Sequence, residues 1–442
     1  MTTLANLEQT VLESPEVKSA LRNIEDKGEK EAALAAAAEY VKKIKPNKVP
    51  QVMAFSKLLS SIYVSHAFSN VETRGLEKVI EELRGGGVAL FSSHFSMLEI
   101  AVIFDLFAKQ QLDNVFYVGG INLAGTPVLG PMLIDPLLRN SGAVLIERSA
   151  EYGTKLRVVM GAVVEASMGY LLDEQNNVVN FIGDGRHKTG TVGNLKSAVA
   201  KSAARHAKSV MAFAVGYDVV PEDRHFAENY VQIEDGRNDK ATVDTEEGVS
   251  NGADLRPRGK KGKGSTLFDG LAKLRMDGGY GTVHVAFDYP IHAVDHPEDA
   301  RQYRTGKEVS HRQLREFRDA MRIRVVRNIT VTPVNVLCAM IVAHGLNRAG
   351  TIFTPVQIAE LSKEPLRETC DSGAQVSERL TTQDLAEAFY FAATKLAERG
   401  AVEVHSEAAK APGTEFRIIE PRLHKYYSNT ITPTLQTFGI KL

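Results

Sequence analysis

An α/β fold built around a mainly parallel sheet is what this sequence predicts, from three observations. Strand-like and helix-like segments alternate from residue 88 to about residue 292. The first of these strands, residues 88–91, is an apolar run that follows three consecutive glycines and reads as buried. Helical patterns flank the alternating part on both sides. The expected organisation is an N-terminal helical region over 1–84, an α/β core over 85–310 and a mostly helical region over 311–442.

Taken in order, residues 5–84 carry helical periodicity, with an alanine-rich stretch at 32–40 and breakers at Pro46 and Pro50. Further strands are expected at 115–118, 143–146, 178–182, 210–216 and 282–287, and helices at 153–167 and 194–206. Residues 232–264 interrupt the pattern. They are polar and acidic first, then basic (RPRGKKGKG at 256–264), and read as an exposed or mobile loop. Beyond residue 310, Thr354 before Pro355 marks a helix start. A capped helix at 382–400 precedes short strands at 402–404 and 416–419.

With 442 residues, 43% hydrophobic and 24% charged, the chain has material for two or three cores. Its formal net charge of -1 points to no global attraction for nucleic acid. The two cysteines, Cys338 and Cys370, form no CxxC pair, which fits a reducing compartment. The opening MTTLANLEQTVLESPEVKS has no apolar core, so no export signal is expected. Residues 329–346 come nearest to a membrane span but contain Pro, Asn and His, so a buried or interfacial helix is the better reading.

The chemistry concentrates in Phe91-Ser-Ser-His-Phe-Ser-Met-Leu-Glu99. A strand leads into a small-residue turn, then His94, then a carboxylate five positions on. Transfer of an acyl group to a hydroxyl needs a base near pH 7, and neutral histidine suits that work. A carboxylate behind it fixes the tautomer and stabilises the imidazolium. On an ideal helix five residues leave two side chains about 140° apart, so His94 must sit in the turn and Glu99 in the first turns of the helix. Two further strand ends carry cations. Residues 142–148 (GAVLIER) end on Arg148, and 181–190 (FIGDGRHKTG) carry Arg186, His187 and Lys188. Arginine's planar fork matches phosphate oxygens and lysine adds a point charge. For His187 a plain surface role and phosphate contact are equally open. In open α/β sheets such strand ends are where ligands bind.

These blocks resemble the glycerol-3-phosphate acyltransferase family of the bacterial membrane-associated type, related to the dihydroxyacetone-phosphate acyltransferases. The resemblance runs from about residue 60 to 435. It also takes in GGINLAGTPVLGP at 119–131, AVGYDVV at 214–220, YGTVHVAFDYPI at 280–291, NVLCAMIVA at 335–343 and HKYYSN at 424–429. It implies His94 as general base, Glu99 as its partner, and Arg148, Arg186 and Lys188 as the phosphate cradle, with no metal. It implies acyl-CoA or an acyl carrier protein as donor, no cofactor, glycerol 3-phosphate as acceptor, and peripheral attachment to the cytoplasmic side of a membrane. The sequence departs from the family at Glu99, where Asp is usual, at Gly183-Asp184, where the acid has moved one position, and at Ala212, where proline is usual. Dihydroxyacetone phosphate or a lysophospholipid is the alternative acceptor, and an inactive homologue the alternative to an enzyme. Candidate docking surfaces are 104–107 and 123–138; Tyr426 and Tyr427 read as packing residues. The 382–400 helix and its two strands resemble a winged-helix unit. That helix has more acids than cations, so no nucleic-acid partner is expected.

Overall fold

A computed structural model describes residues 4–120, 135–146, 153–183, 185–224, 226–227, 279–292, 310–406 and 411–440. The 232–264 loop, Arg148, Asp184 and residues 121–131 of the GGINLAGTPVLGP block lie outside the described residues.

Helices α1 (Leu7–Leu12), α2 (Pro15–Arg22), α3 (Lys27–Ile44) and α4 (Pro50–Ala67) come first, with proline at the first positions of α2 and α4. Strand β1 (Asn70–Arg74) and α5 (Leu76–Gly85) follow. The core continues as β2 (Val88–Ser92), α6 (Glu99–Lys109), β3 (Val115–Gly120), α7 (Asp135–Asn140), β4 (Ala143–Ile146), α8 (Thr154–Asp173), β5 (Asn177–Phe181), α9 (Ser197–His206), β6 (Ser209–Tyr217), β7 (Thr282–Phe287) and β8 (Ile291–His292). The remainder is α10 (His311–Arg327), α11 (Pro333–Ala343), β9 (Ile352–Phe353), α12 (Pro355–Asp371), α13 (Glu378–Thr382), α14 (Leu385–Glu398), β10 (Val402–Ser406), β11 (Glu415–Ile418) and α15 (Pro421–Thr437).

The strands of the core form one eight-stranded sheet in the order β1-β7-β6-β2-β5-β3-β4, with β8 beside β6. From β6 to β4 every pairing is parallel; β7 and β8 run antiparallel to β6. The fold is therefore α/β with a mainly parallel sheet, as the alternation predicts. The central strands are buried along their whole length, VALFS in β2 and SVMAFAVGY in β6 with one exception, as strands covered by helices on both faces must be. Gly86 admits no side chain, because a Cβ there would lie 1.9 Å from the Gln175 carbonyl oxygen at a φ of +73°.

One difference from the sequence reading stands out. Residues 1–84 are not helical throughout, because β1 pairs in parallel with β7 inside the core sheet. Its sequence, NVETR, holds one aliphatic residue and no alternation, since an edge strand buries little. The apolar 329–346 segment is the buried helix α11, nine of whose residues are in the core. Among the described residues no helix is long and apolar enough to cross a membrane. At the C-terminal side, β9, β10 and β11 form a separate three-stranded antiparallel sheet, with α14 packed on β10.

Candidate active site

Strand β2 hands the chain to a turn that is bolted to its neighbours before His94 appears. The Ser93 hydroxyl donates to the Val215 carbonyl (3.2 Å) and accepts from the Val215 N–H (3.0 Å), fixing the exit of β2 against β6. His94 follows, and α6 begins with Glu99. The 94–99 spacing is thus resolved as turn plus first helical residue, and Nδ1 of His94 lies 2.8 Å from Oε2 of Glu99. The other oxygen, Oε1, accepts main-chain N–H groups from Phe95 (2.6 Å) and Ser96 (3.2 Å). The carboxylate therefore holds both the imidazole and the turn that carries it. The ring of His94 stacks on Phe181 at the end of β5, with centroids 4.6 Å apart. Its side chain is 12% exposed while Glu99 is fully buried. Since Nδ1 is committed to Glu99, Nε2 is the nitrogen able to take a proton from a ligand.

The cation-bearing turn after β5 is fastened to this histidine by main chain. The Ile182 N–H donates to the Ser92 carbonyl at 2.8 Å, and the His187 N–H donates to the His94 carbonyl at 2.6 Å. Arg186 is consequently close enough to His94 for its charge to act on the imidazole. Lys188 is exposed on the same turn. Of the three expected cradle cations, two sit on this turn and Arg148 lies outside the described residues. His187 takes neither of the roles left open for it: its side chain is buried, edge-on to Phe95 at 5.0 Å between ring centroids. The turn is clasped from behind by α15. Asn429 Nδ2 donates to the Thr189 carbonyl (3.0 Å). Gly190, at a φ of +81°, passes so near that a Cβ would lie 2.4 Å from the Tyr426 carbonyl oxygen. The GR(H)KTG and HKYYSN blocks are thus two sides of one contact.

Sequence reasoning missed Glu222. Oε1 accepts from the Met97 N–H (2.9 Å) and from Arg186 Nη1 (3.2 Å), and Oε2 from the Ser96 hydroxyl (2.7 Å). Nothing in the local Pro221-Glu-Asp223 string signals this, because every partner is at least 36 residues away in the chain. Tyr427 packs as expected, and its buried hydroxyl donates to Asp223 (2.6 Å).

The electrostatics suit a base. Burial lowers the His94 pKa to about 4, Arg186 pushes the same way, and Glu222 opposes both. The imidazole is therefore neutral at physiological pH. Burial pushes the Glu99 carboxyl upward, against the pull of its two main-chain donors. With both donors on Oε1, the shared proton is best placed on Nδ1, leaving the lone pair on Nε2. The pair lies at the carboxyl ends of the adjacent parallel strands β2, β5 and β6.

No family model matches the chain, and no curated protein matches it. Among solved structures, the crystal structure of the 1-acyl-sn-glycerophosphate (LPA) acyltransferase PlsC from Thermotoga maritima is similar to it. The match has 12% sequence identity and a TM-score of 0.33, and covers 70% of this chain and 85% of that one.

Proposed function

We propose that this chain is an acyltransferase that moves a fatty acyl group from acyl-CoA or an acyl carrier protein to the sn-1 hydroxyl of glycerol 3-phosphate, a step of phospholipid synthesis. The observation that carries the reading is the His94–Glu99 pair, 2.8 Å apart, with Arg186 on the adjoining turn. Nε2 of His94 removes the proton from the acceptor hydroxyl, whose oxygen attacks the thioester carbonyl. The carbon–sulfur bond breaks and the departing thiolate takes the proton from Nε2–H. Glu99 stabilises the imidazolium in between, so neither a covalent enzyme intermediate nor a cofactor is required. Arg186 and Lys188 supply charge for the acceptor's phosphate, with Arg148 as the third expected cation. Dihydroxyacetone phosphate or a lysophospholipid is the second reading of the acceptor.

The test is competition among acceptors. Purified protein with radiolabelled acyl-CoA is given glycerol 3-phosphate, dihydroxyacetone phosphate and a lysophospholipid in turn. Label is expected mainly in acyl-glycerol phosphate; preference for the lysophospholipid overturns the acceptor and spares the chemistry.

An amphiphilic product favours work at a lipid surface, and the cytoplasmic face is the side this reading assigns. Of the two docking surfaces named from the sequence, residues 104–107 cannot serve, because Phe104, Leu106 and Phe107 are all buried in the core. Most of the other, 123–134, lies outside the described residues. A better candidate is the outer face of α4, where Phe55, Leu58 and Ile62 are 55%, 59% and 42% exposed at helical spacing. Flotation with anionic vesicles is expected to carry the wild type upward. Replacing all three residues by serine is expected to leave the protein at the bottom of the gradient.

A further inference from the structure

The base and the acceptor's cation stand on different turns, one after β2 and one after β5, so something must set the distance between them. Main-chain bonds fix the backbones, but an arginine side chain has four rotatable bonds beyond its backbone and keeps much freedom unless a partner holds its head. A side chain that belongs to neither turn touches both. Glu222 accepts from the Ser96 hydroxyl (2.7 Å) and the Met97 N–H (2.9 Å) on the base's side, and from Arg186 (3.2 Å) on the cation's side. Its side chain is only 17% exposed.

The backbone that carries Glu222 is itself held. Next to it, Asp223 is fully buried. Its carboxylate accepts from Arg399 Nε (3.0 Å) and from the Tyr427 hydroxyl (2.6 Å), and the Val220 N–H donates to that same hydroxyl (3.0 Å). Two elements distant in sequence, the end of α14 and α15, thus converge on Asp223 in the segment that follows β6. A buried, saturated anchor at 223 places a carboxylate at 222, and such an arrangement is rigid in the way a positioning group must be.

We propose that Glu222 is a positioning residue, whose carboxylate sets the span between Arg186 and the His94 turn so that a phosphate-held hydroxyl meets Nε2. The inference rests on the acyl-transfer reading above. The ionisable groups gathered around the site are Glu99 on α6, Arg186 and His187 on the turn after β5, Tyr217 at the end of β6 and Tyr426 on α15. Beside Glu99, which holds Nδ1, Glu222 is a further anion whose charge favours protonation of His94.

Steady-state kinetics of Glu222→Ala, Glu222→Gln and His94→Ala with glycerol 3-phosphate and palmitoyl-CoA, over a range of pH, test it. Glu222→Ala is expected to lower kcat on the order of 10²-fold, the scale of an ångström-size misplacement, with the KM for palmitoyl-CoA unmoved. Glu222→Gln keeps an acceptor oxygen for the Met97 N–H and offers Ser96 an amide N–H in place of the second oxygen, and is expected to recover part of that loss. Its acid limb should move to lower pH, since His94 has lost a neighbouring negative charge. Wild-type kcat and pH profile in both variants overturns the proposal. So does a glutamine variant that falls as far as alanine together with a matching loss of thermal stability, which marks a merely structural role. A drop in the KM for glycerol 3-phosphate with kcat intact also overturns it, because Glu222 then only competes with phosphate. If instead His94→Ala is as active as wild type, the acyl-transfer reading itself fails, and this inference with it.

Discussion

Two buried histidines in this molecule each stand about 3 Å from a glutamate, and they end up in opposite charge states. His94 lies 2.8 Å from Glu99, and its pKa is lowered to about 4. His284, in the middle of β7, lies 3.0 Å from Glu72 on β1, its cross-strand partner in register. Burial alone would lower His284 too. Two carboxylates outweigh that, Asp218 standing 3.6 Å from Nε2, and its pKa rises to about 9. That second distance allows charge attraction but is too long for a hydrogen bond. The difference lies in the surroundings. Glu99 spends one oxygen on two main-chain donors, and Arg186 adds a positive charge beside His94; around His284 the described cations Arg74 and Arg379 act on Glu72 rather than on the imidazole. At physiological pH one histidine is neutral and the other a cation that ties the edge strand to the core.

The comparison breaks most clearly through substitution. His94→Ala should cut turnover by roughly 10²–10⁴-fold, the range for loss of a general base, while leaving the unfolding midpoint close to wild type. Near-normal turnover there would falsify the assignment. His284→Ala should do the reverse. Removing the cation leaves Asp218 buried without its charge partner, and denaturant unfolding should show about 3–5 kcal/mol of lost stability. Activity per folded molecule should persist; a dead but stable His284→Ala protein would put the chemistry at the wrong histidine. Arg186→Ala should raise the KM for the polyol phosphate by about 10- to 100-fold, as expected for a lost charge-assisted contact, and leave that for acyl-CoA alone. Equal effects on both substrates would remove Arg186 from the phosphate cradle.

A pH series sharpens the contrast with a smaller effect. The folded pKa of His284 lies above the ordinary histidine value of about 6.5, so its contribution to stability is complete below that value and is lost as pH rises through about 9. For His94 the folded value lies below the ordinary one. The unfolded chain then binds the proton that the folded chain refuses, and stability falls as pH drops from about 6.5 towards 4. The stability gap between wild type and His284→Ala should therefore narrow from pH 6 to pH 10. A gap that widens over that interval would mean His284 is neutral in the fold.

How much of this was legible in the sequence follows from how local each feature is. The 94–99 pair was readable because five residues fix a turn-then-helix geometry, and burial of 88–91 was readable from its apolar run. Strands β4 and β7 begin and end at the predicted bounds, Ala143–Ile146 and Thr282–Phe287. Strand β1 was not readable, since Glu72 serves His284 across the sheet and Arg74 the Val376 carbonyl before α13, rather than a hydrophobic face. Glu222 was invisible for the same reason at longer range: its meaning lies in Ser96, Met97 and Arg186, which only the folded sheet brings to it. His187 misled because a histidine flanked by Arg and Lys looks solvent-facing, whereas the turn folds it inward against Phe95.

The clasp of α15 on the Gly190 turn has a practical consequence. A fragment trimmed to the sheet and its covering helices would keep the imidazole and its carboxylate. It would lack Asn429, which tethers Thr189, and Tyr427, which steadies Asp223. Such a truncation should retain the proton acceptor yet let the guanidinium wander, so anyone seeking a minimal active unit must carry the sequence through the final helix.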